Sequence, residues 1–297
     1  MNLSRIFWIF FVGGSLGSCW GRPNPIAQRK EGITHLTDYL NSRSWDSLFP
    51  NRYGRSHTGP DSAAPGRPDF YSFQAFVTAA KKFPEFLGTG NDTLRRRELA
   101  AFLAHCAQET SGGWPGAPGG YFKWGFYFIQ EQGCSSGCPQ YSDRSNKAYP
   151  PVPGQSYHGR GPKQLSYNYN YGQFSQDYFG DKYILLREPD RVSSDPVLSF
   201  ASAIWFWMKA QPPKPSCHEV MTNLWHPTTH DLAAGRKPGF GTTLNIINGG
   251  VECGKAPLDK TVYRYEYYRY FCKIFRVSPG PNIECADQVP FSAESAE

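Results

Sequence analysis

Beyond residue 12 the chain has no apolar run long enough to cross a bilayer, which excludes a helical membrane span after that point. Charge is also sparse: charged residues make up 19% of the sequence and the formal net charge is +6, with Lys and Arg scattered. The one basic run, "LRRRE" at residues 94–98, is accounted for by a solvated helix start, so no nucleic-acid partner is expected. Internal repeats and low-complexity tracts are missing, and alternating strand patterns are short and few. After "CSSGC" (134–138) no Cys or His pair follows at finger spacing, which argues against structural zinc.

What the chain has instead is aromatic side chains, 16% of all residues with 18 tyrosines, together with 30 glycines and 25 prolines. That mixture indicates a loop-rich folded chain with stacking surfaces, large enough to bury a sizeable core. Arg5, the apolar run Ile6 to Val12 and the small residues Gly13, Gly14, Ser15, Gly17 and Ser18 follow the order of a secretory signal. Residues 1–20 are therefore expected to be a signal peptide. A second reading of "LGSC" (16–19), as a lipoprotein signal with Cys19 lipidated, stays open. Export permits disulfides. Without Cys19 the cysteines are Cys106, Cys134, Cys138, Cys217, Cys253, Cys272 and Cys285, an odd number that leaves at least one thiol unpaired within the chain. The sequon Asn91-Asp92-Thr93 suits a glycan if the source is eukaryotic.

Residues 51–69, rich in Gly, Pro, Ser and Asp, read as a surface loop. Residues 21–68 are taken as a segment belonging or leading to one domain over 69–290. Helical periodicity dominates that domain. Residues 69–83 place Phe73, Phe76, Val77 and Ala80 on one face, and Leu99, Phe102, Leu103 and Cys106 follow the i, i+3, i+4, i+7 rule. Asp195-Pro196 opens a helix that Pro212 and Pro213 end. Residues 258–275 carry Tyr263, Tyr267, Tyr270 and Ile274 along one side. The fold class is mainly α with long loops.

Glu109 falls on or beside the apolar stripe of Leu99 to Cys106, where "SGGW" (111–114) ends the helix. Desolvation disfavours a charged carboxylate, so a Glu there is suited to hold and donate a proton. A structural Glu paired with an Arg is the plainer alternative. Glu131 follows the aromatic run of "WGFYFIQEQG" (124–133). A carboxylate beside Trp and Tyr suits sugar-ring recognition, and two carboxylates flanking a glycosidic bond divide acid and base work between them. An exposed Glu at a strand end is the plainer reading of that residue.

"FLAHCAQETSGGW", "WGFYFIQEQG", "YHGRGPKQLSYNYNYG", "DPVLSFASAIWFWM", "PPKPSCHEV" and "TLNIINGGVECG" occur in this order. Together they resemble the signature segments of the plant-type chitinases, glycoside hydrolase family 19, over roughly residues 70–286. The resemblance implies a lysozyme-like, two-lobed helical domain with a substrate cleft, and inverting endo-hydrolysis of β-1,4-linked N-acetylglucosamine. It assigns Glu109 as general acid, Glu131 as general base and Ser166 to the attacking water. It implies that Gln164, Tyr169, Asn170, Lys214 and Asn248 contact the sugar, and that Glu252 and Arg264 form a charged pair near the acid. It further implies a Cys253–Cys285 disulfide, with Cys134–Cys138 a second pair. Taken alone, Ser166 is a turn serine, Lys214 a solvated lysine and Arg264 a partner on a Tyr-rich helix.

The chain departs from the family pattern at Gln108, where His is usual, at Tyr127, where Cys is usual, and in the shortened Cys134–Cys138 loop. No cysteine-rich hevein-like module is expected ahead of the domain, so tight anchoring to insoluble chitin is not implied. The expectation is a secreted, monomeric endochitinase acting on chitin or chitooligosaccharides, with no metal, cofactor, nucleic-acid or membrane partner after signal cleavage. A peptidoglycan-cleaving hydrolase and a catalytically silent chitin-binding protein are the alternatives.

Overall fold

Trp45 sits at the centre of an aromatic cluster, its ring within 4.6–6.2 Å of those of Phe49, Phe73, Phe76, Phe126 and Phe200. Its indole N–H donates to the Tyr71 carbonyl at 2.9 Å, which satisfies the one polar atom that the cluster buries. The computed structural model describes residues 24–52, 69–134 and 137–291; the expected signal peptide and most of the 51–69 loop lie outside them. The described residues form twelve α-helices and no β-strand beyond isolated bridges. In chain order they are α1 (Leu36–Tyr39), α2 (Ser42–Leu48), α3 (Phe73–Ala80), α4 (Asp92–Thr110), α5 (Asn168–Phe179) and α6 (Tyr183–Arg187). Then come α7 (Arg191–Ser194), α8 (Pro196–Met208), α9 (Cys217–Met221), α10 (Thr229–Ala233), α11 (Phe240–Glu252) and α12 (Asp259–Ile274).

Helix α4 is the axis of the molecule. The Asn91 side chain accepts from the Leu94 N–H at 3.1 Å and caps it, and Asp92 in the first turn suits the helix dipole. From Glu98 to Ala107 every residue is buried, so the helix is enclosed on all sides and not only along the stripe that periodicity marks. Helix α12 packs along it, and α3 packs on α8. Glu98 is fully buried within α4 and ties its surroundings together. One of its carboxylate oxygens accepts from the Trp207 indole at 2.9 Å and lies 2.6 Å from His218 Nδ1, while the other accepts from the Leu87 N–H at 3.2 Å.

The expected start of α8 is matched by its cap: the Asp195 carboxylate accepts from the N–H groups of Val197 and Leu198 ahead of Pro196. Helix α12 corrects the simple one-sided pattern. Tyr263, Tyr267 and Tyr270 pack on Tyr121 and Phe122, but Ile274 is exposed. The face against α4 is built from Arg264, Tyr268, Phe271 and neighbours, all buried. Polar Tyr and Arg carry that face, so a reading of apolar residues alone misplaces it. No helix of the described residues is long and apolar enough to cross a membrane.

Candidate active site

The site is built where α4 ends. Gly113 takes a left-handed φ of 63°, and a Cβ there would lie 2.2 Å from the Tyr121 carbonyl, so the turn requires glycine. The Thr110 hydroxyl donates to the Cys106 carbonyl and accepts from the Phe126 N–H, each at 2.7 Å. The Thr110 carbonyl accepts from Phe128 N–H at 2.7 Å, and the Ser111 hydroxyl donates to the Trp124 carbonyl. These bonds stitch segment 124–131 to the helix end and so fix Glu131 relative to Glu109. Beyond it, Glu131 N–H donates to the Gly159 carbonyl and Gly161 N–H to the Ile129 carbonyl, both at 2.8 Å. Glu131 is therefore held between two chain segments, not exposed at the end of a strand.

A cleft of about 620 Å³ opens over this junction. Glu109, Glu131, Gln164, Ser166, Tyr169, Asn170, Lys214 and Asn248 all line it. Those eight residues come from α4, the segments ahead of α5, the first turn of α5, the turn before α9, and α11. Glu252 and Arg264 do not reach its surface; they lie under Glu109, at 1% and 2% exposure. Arg264 Nη1 donates to Glu109 Oε1 at 2.8 Å and Nη2 to Glu252 Oε1 at 2.9 Å. The apolar stripe of α4, taken by itself, surrounds Glu109 with apolar groups alone. The structure corrects this by setting a buried guanidinium against it.

Glu252 also accepts from Asn248 Nδ2 at 2.7 Å and from the Thr261 hydroxyl at 2.9 Å. Asn248, four residues ahead of Glu252, sits at a kink of α11 and has a non-helical φ of −144°. Burial alone would raise the Glu252 carboxyl, but the Arg264 charge and the hydrogen bonds from Arg264, Asn248 and Thr261 outweigh it and hold the group below its ordinary value. Burial likewise opposes the charge on Arg264, and Glu109 and Glu252 overcome that, raising the guanidinium above its usual value.

His105, one turn before Glu109, completes this cluster and was not nominated from sequence. Its Nδ1 is 3.3 Å from Arg264 Nη1 and its Nε2 is 2.9 Å from Thr243 Oγ1. Thr243 donates its own proton to the Phe240 carbonyl at 2.7 Å, so the imidazole donates from Nε2 and accepts Arg264 at Nδ1. Burial, with the nearby positive charges of Lys163 and Arg264, holds His105 well below its usual value and keeps it neutral. The i, i+4 spacing to Glu109 was the signal available in the sequence.

Among the described residues no Lys, Arg or His forms an ion pair with Glu131. Tyr141 Oη donates to its Oε1 at 2.8 Å and the Gly159 N–H to its Oε2 at 3.2 Å. The Ser166 hydroxyl donates to the Gln164 carbonyl at 2.8 Å, and Lys214 Nζ donates to the Ile246 carbonyl at 3.2 Å. Burial lowers the Lys214 ammonium. The aromatic wall differs from the expected one. Trp124 and Tyr127 join a separate chain of rings with Trp114, while Tyr141, Tyr167, Tyr169 and Phe206 line the cleft. Lys163 also lines it; its ammonium is buried, 5.7 Å from the centre of the Phe206 ring, and makes no hydrogen bond among the described residues.

Disulfides join Cys134 to Cys138 and Cys253 to Cys285. Cys106, Cys217 and Cys272 are buried thiols, all pushed up by burial and so poor nucleophiles. Among the described residues no cluster of His, Cys, Asp and Glu is arranged to hold a metal ion.

Residues 55–285 match the family described as Chitinase class I. The chain is 46% identical over 279 residues to a basic 30 kDa endochitinase of Solanum lycopersicum, covering 94% of this chain and 80% of that one. It is 49% identical over 222 residues to an endochitinase of Carica papaya, covering 75% and 88%. Among solved structures, chitinase C of Streptomyces griseus HUT6037 superposes with a TM-score of 0.63 at 28% identity, over 83% of this chain and 97% of that one. A family GH19, class IV chitinase of Zea mays gives 0.58 at 32% identity, over 81% and 96%.

Proposed function

Since this chain belongs to the class I chitinase family of glycoside hydrolases, we propose that it is a secreted endochitinase that cleaves β-1,4-linked N-acetylglucosamine polymers with inversion, in one displacement. The observation that carries the mechanism is the contrast between the two carboxylates of the cleft: Glu109 is bonded to a buried guanidinium and Glu131 only to neutral donors.

Glu109 is the general acid. Its Oε1 accepts from Arg264, which leaves Oε2 to carry the proton to the departing sugar oxygen. As that proton leaves, negative charge develops beside the guanidinium, in a partly buried setting where the attraction is strong. Glu131 is the general base. Each of its oxygens accepts one hydrogen bond and keeps a lone pair for the proton of an attacking water. The hydroxyl proton of Ser166 is committed to the Gln164 carbonyl, so towards water Ser166 acts as an acceptor. A water donating one proton to Ser166 and the other to Glu131 turns its lone pair towards the anomeric carbon. Gln164, Tyr169, Asn170, Lys214 and Asn248 offer donors and acceptors for sugar hydroxyls and acetamido groups along the same cleft.

Release of soluble oligosaccharides from glycol chitin, measured beside clearing of bacterial cell walls, tests the assignment. Chitin fragments of intermediate length with no wall clearing are the expected result. Wall clearing without chitin hydrolysis overturns the substrate, and retention of chitin without any release overturns the enzyme. Mapping the first products of a chitin hexamer tests internal cleavage.

A further inference from the structure

Tyr141 stands outside every assignment above, yet its contact with the cleft's uncharged-partner carboxylate is as short as that of Arg264 with Glu109. It ends the short 3₁₀ turn Pro139–Tyr141, which begins directly after the Cys134–Cys138 disulfide. The turn is pinned at its start, where the Cys138 N–H donates to Ser156 Oγ at 3.0 Å, and at its end, where the Tyr141 N–H donates to the Cys138 carbonyl at 3.2 Å. The Tyr141 ring meets Tyr167 edge to face, with centres 5.1 Å apart. Burial first, and then the hydrogen bond and charge of Glu131, push the phenol up to about 12, so it remains a donor at any working pH.

A carboxylate held at one oxygen can still swing about its last side-chain bond. Glu131 is held at both, by a backbone N–H on one side and by Tyr141 on the other, so the plane of the group is fixed. Fixing that plane fixes the direction in which the remaining lone pairs point, and so where a water must sit to be deprotonated. We propose that Tyr141 is a positioning residue for Glu131, and that the Cys134–Cys138 disulfide just ahead of its turn serves to seat it. This rests on the reading of Glu131 as the general base. Misplacing a reacting group by an ångström costs on the order of 10² in rate, so the effect belongs in turnover and not in binding.

The test is Tyr141→Phe, which keeps the ring against Tyr167 and removes only the hydroxyl. With a chitin hexamer, kcat is expected to fall by about 10- to 100-fold while KM stays within about twofold and the melting temperature holds, as suits a lost orientation and not a lost binding contact. The pair Cys134→Ser with Cys138→Ser is expected to produce the same loss of kcat, and adding Tyr141→Phe to it is expected to cost nothing more. Wild-type kcat in Tyr141→Phe, or a loss confined to KM, overturns the positioning role. Full kcat in the disulfide variant overturns the seating role. Glu131→Gln separates the two layers: if it stays active the base assignment fails, whereas an inactive Glu131→Gln beside a fully active Tyr141→Phe overturns this inference alone.

Discussion

Arg264 bridges Glu109 and Glu252, with Nη1 2.8 Å from one carboxylate and Nη2 2.9 Å from the other. The guanidinium therefore does two things, holding the cleft carboxylate from below and neutralising a carboxylate that is itself almost wholly buried. Arg264→Met separates them. Removing one partner of a buried pair costs about 3–5 kcal/mol because the other charge is left uncompensated. The variant should therefore melt roughly 10 °C lower and lose turnover. Adding Glu252→Gln should restore most of the stability but none of the turnover, since Glu109 still lacks its cation. Calorimetry beside a glycol-chitin assay reads both, and wild-type melting in Arg264→Met refutes the bridge.

The pH dependence of stability follows from Glu252. Its folded-state value lies below the ordinary 4.5, so the unfolded chain takes up its proton first as pH falls. The stabilisation is complete above about 4.5 and is lost as pH drops through the folded value. Glu252→Gln removes this group from the titration. Below that pH its unfolding free energy should fall less steeply than that of the wild type, and equal slopes in denaturant titrations between pH 3 and 5 would contradict the argument.

Glu109→Gln keeps an oxygen that accepts from Arg264 but has no proton to donate. Turnover should fall by on the order of 10² to 10⁴, with oligosaccharide affinity largely kept. A variant holding a tenth of wild-type activity would remove Glu109 from the acid role.

These residues were not equally legible in the sequence. The cap of α8 and the stripe of α4 follow from local rules that act over one or two turns, and the structure has both. Glu109 also stood out locally, as a carboxylate where the pattern asked for an apolar side chain. Its partner did not, because Arg264 lies 155 residues away and reaches it only through the packing of α12 on α4. The same holds for Tyr141, whose role depends on a disulfide-closed turn that no periodicity describes. His105 was hidden differently: it falls off the apolar stripe of Leu99 to Cys106, and its purpose appears only when Arg264 and Thr243 are placed around it.

Lys163 offers a stability gain. Among the described residues its buried ammonium has no hydrogen-bond acceptor, and burial, opposed by the charge of Glu109, lowers it from its ordinary 10.5. The unfolded chain binds this proton more tightly than the folded one, so the group costs stability below its folded value and the cost fades as pH rises towards 10.5. Lys163→Met keeps the length and discards the charge. At neutral pH it should unfold with about 1–4 kcal/mol more stability, taking as a guide the range seen when buried ion pairs are replaced by apolar groups. The gain should shrink at alkaline pH. A variant less stable than wild type at pH 7 would mean that the attraction of Glu109 outweighs the cost of burying the ammonium.

The stereochemistry of the first product tests the division of labour between the two carboxylates. If Glu131 activates a water and forms no bond to the sugar itself, attack comes from the face opposite the departing oxygen. A β-linked polymer then yields the α-anomer first. Enzymes of that kind hold their carboxyl groups about 6.5–9.5 Å apart to leave room for the water, whereas about 5 Å suits a covalent intermediate. Ser166 lines the cleft with its hydroxyl proton donated to the Gln164 carbonyl, so under this mechanism its oxygen accepts from such a water. Proton NMR on fresh digests of a chitin hexamer, read before mutarotation, should show the α signal rising ahead of equilibrium. Early accumulation of the β-anomer would make Glu131 a nucleophile and leave Ser166 without a water to hold.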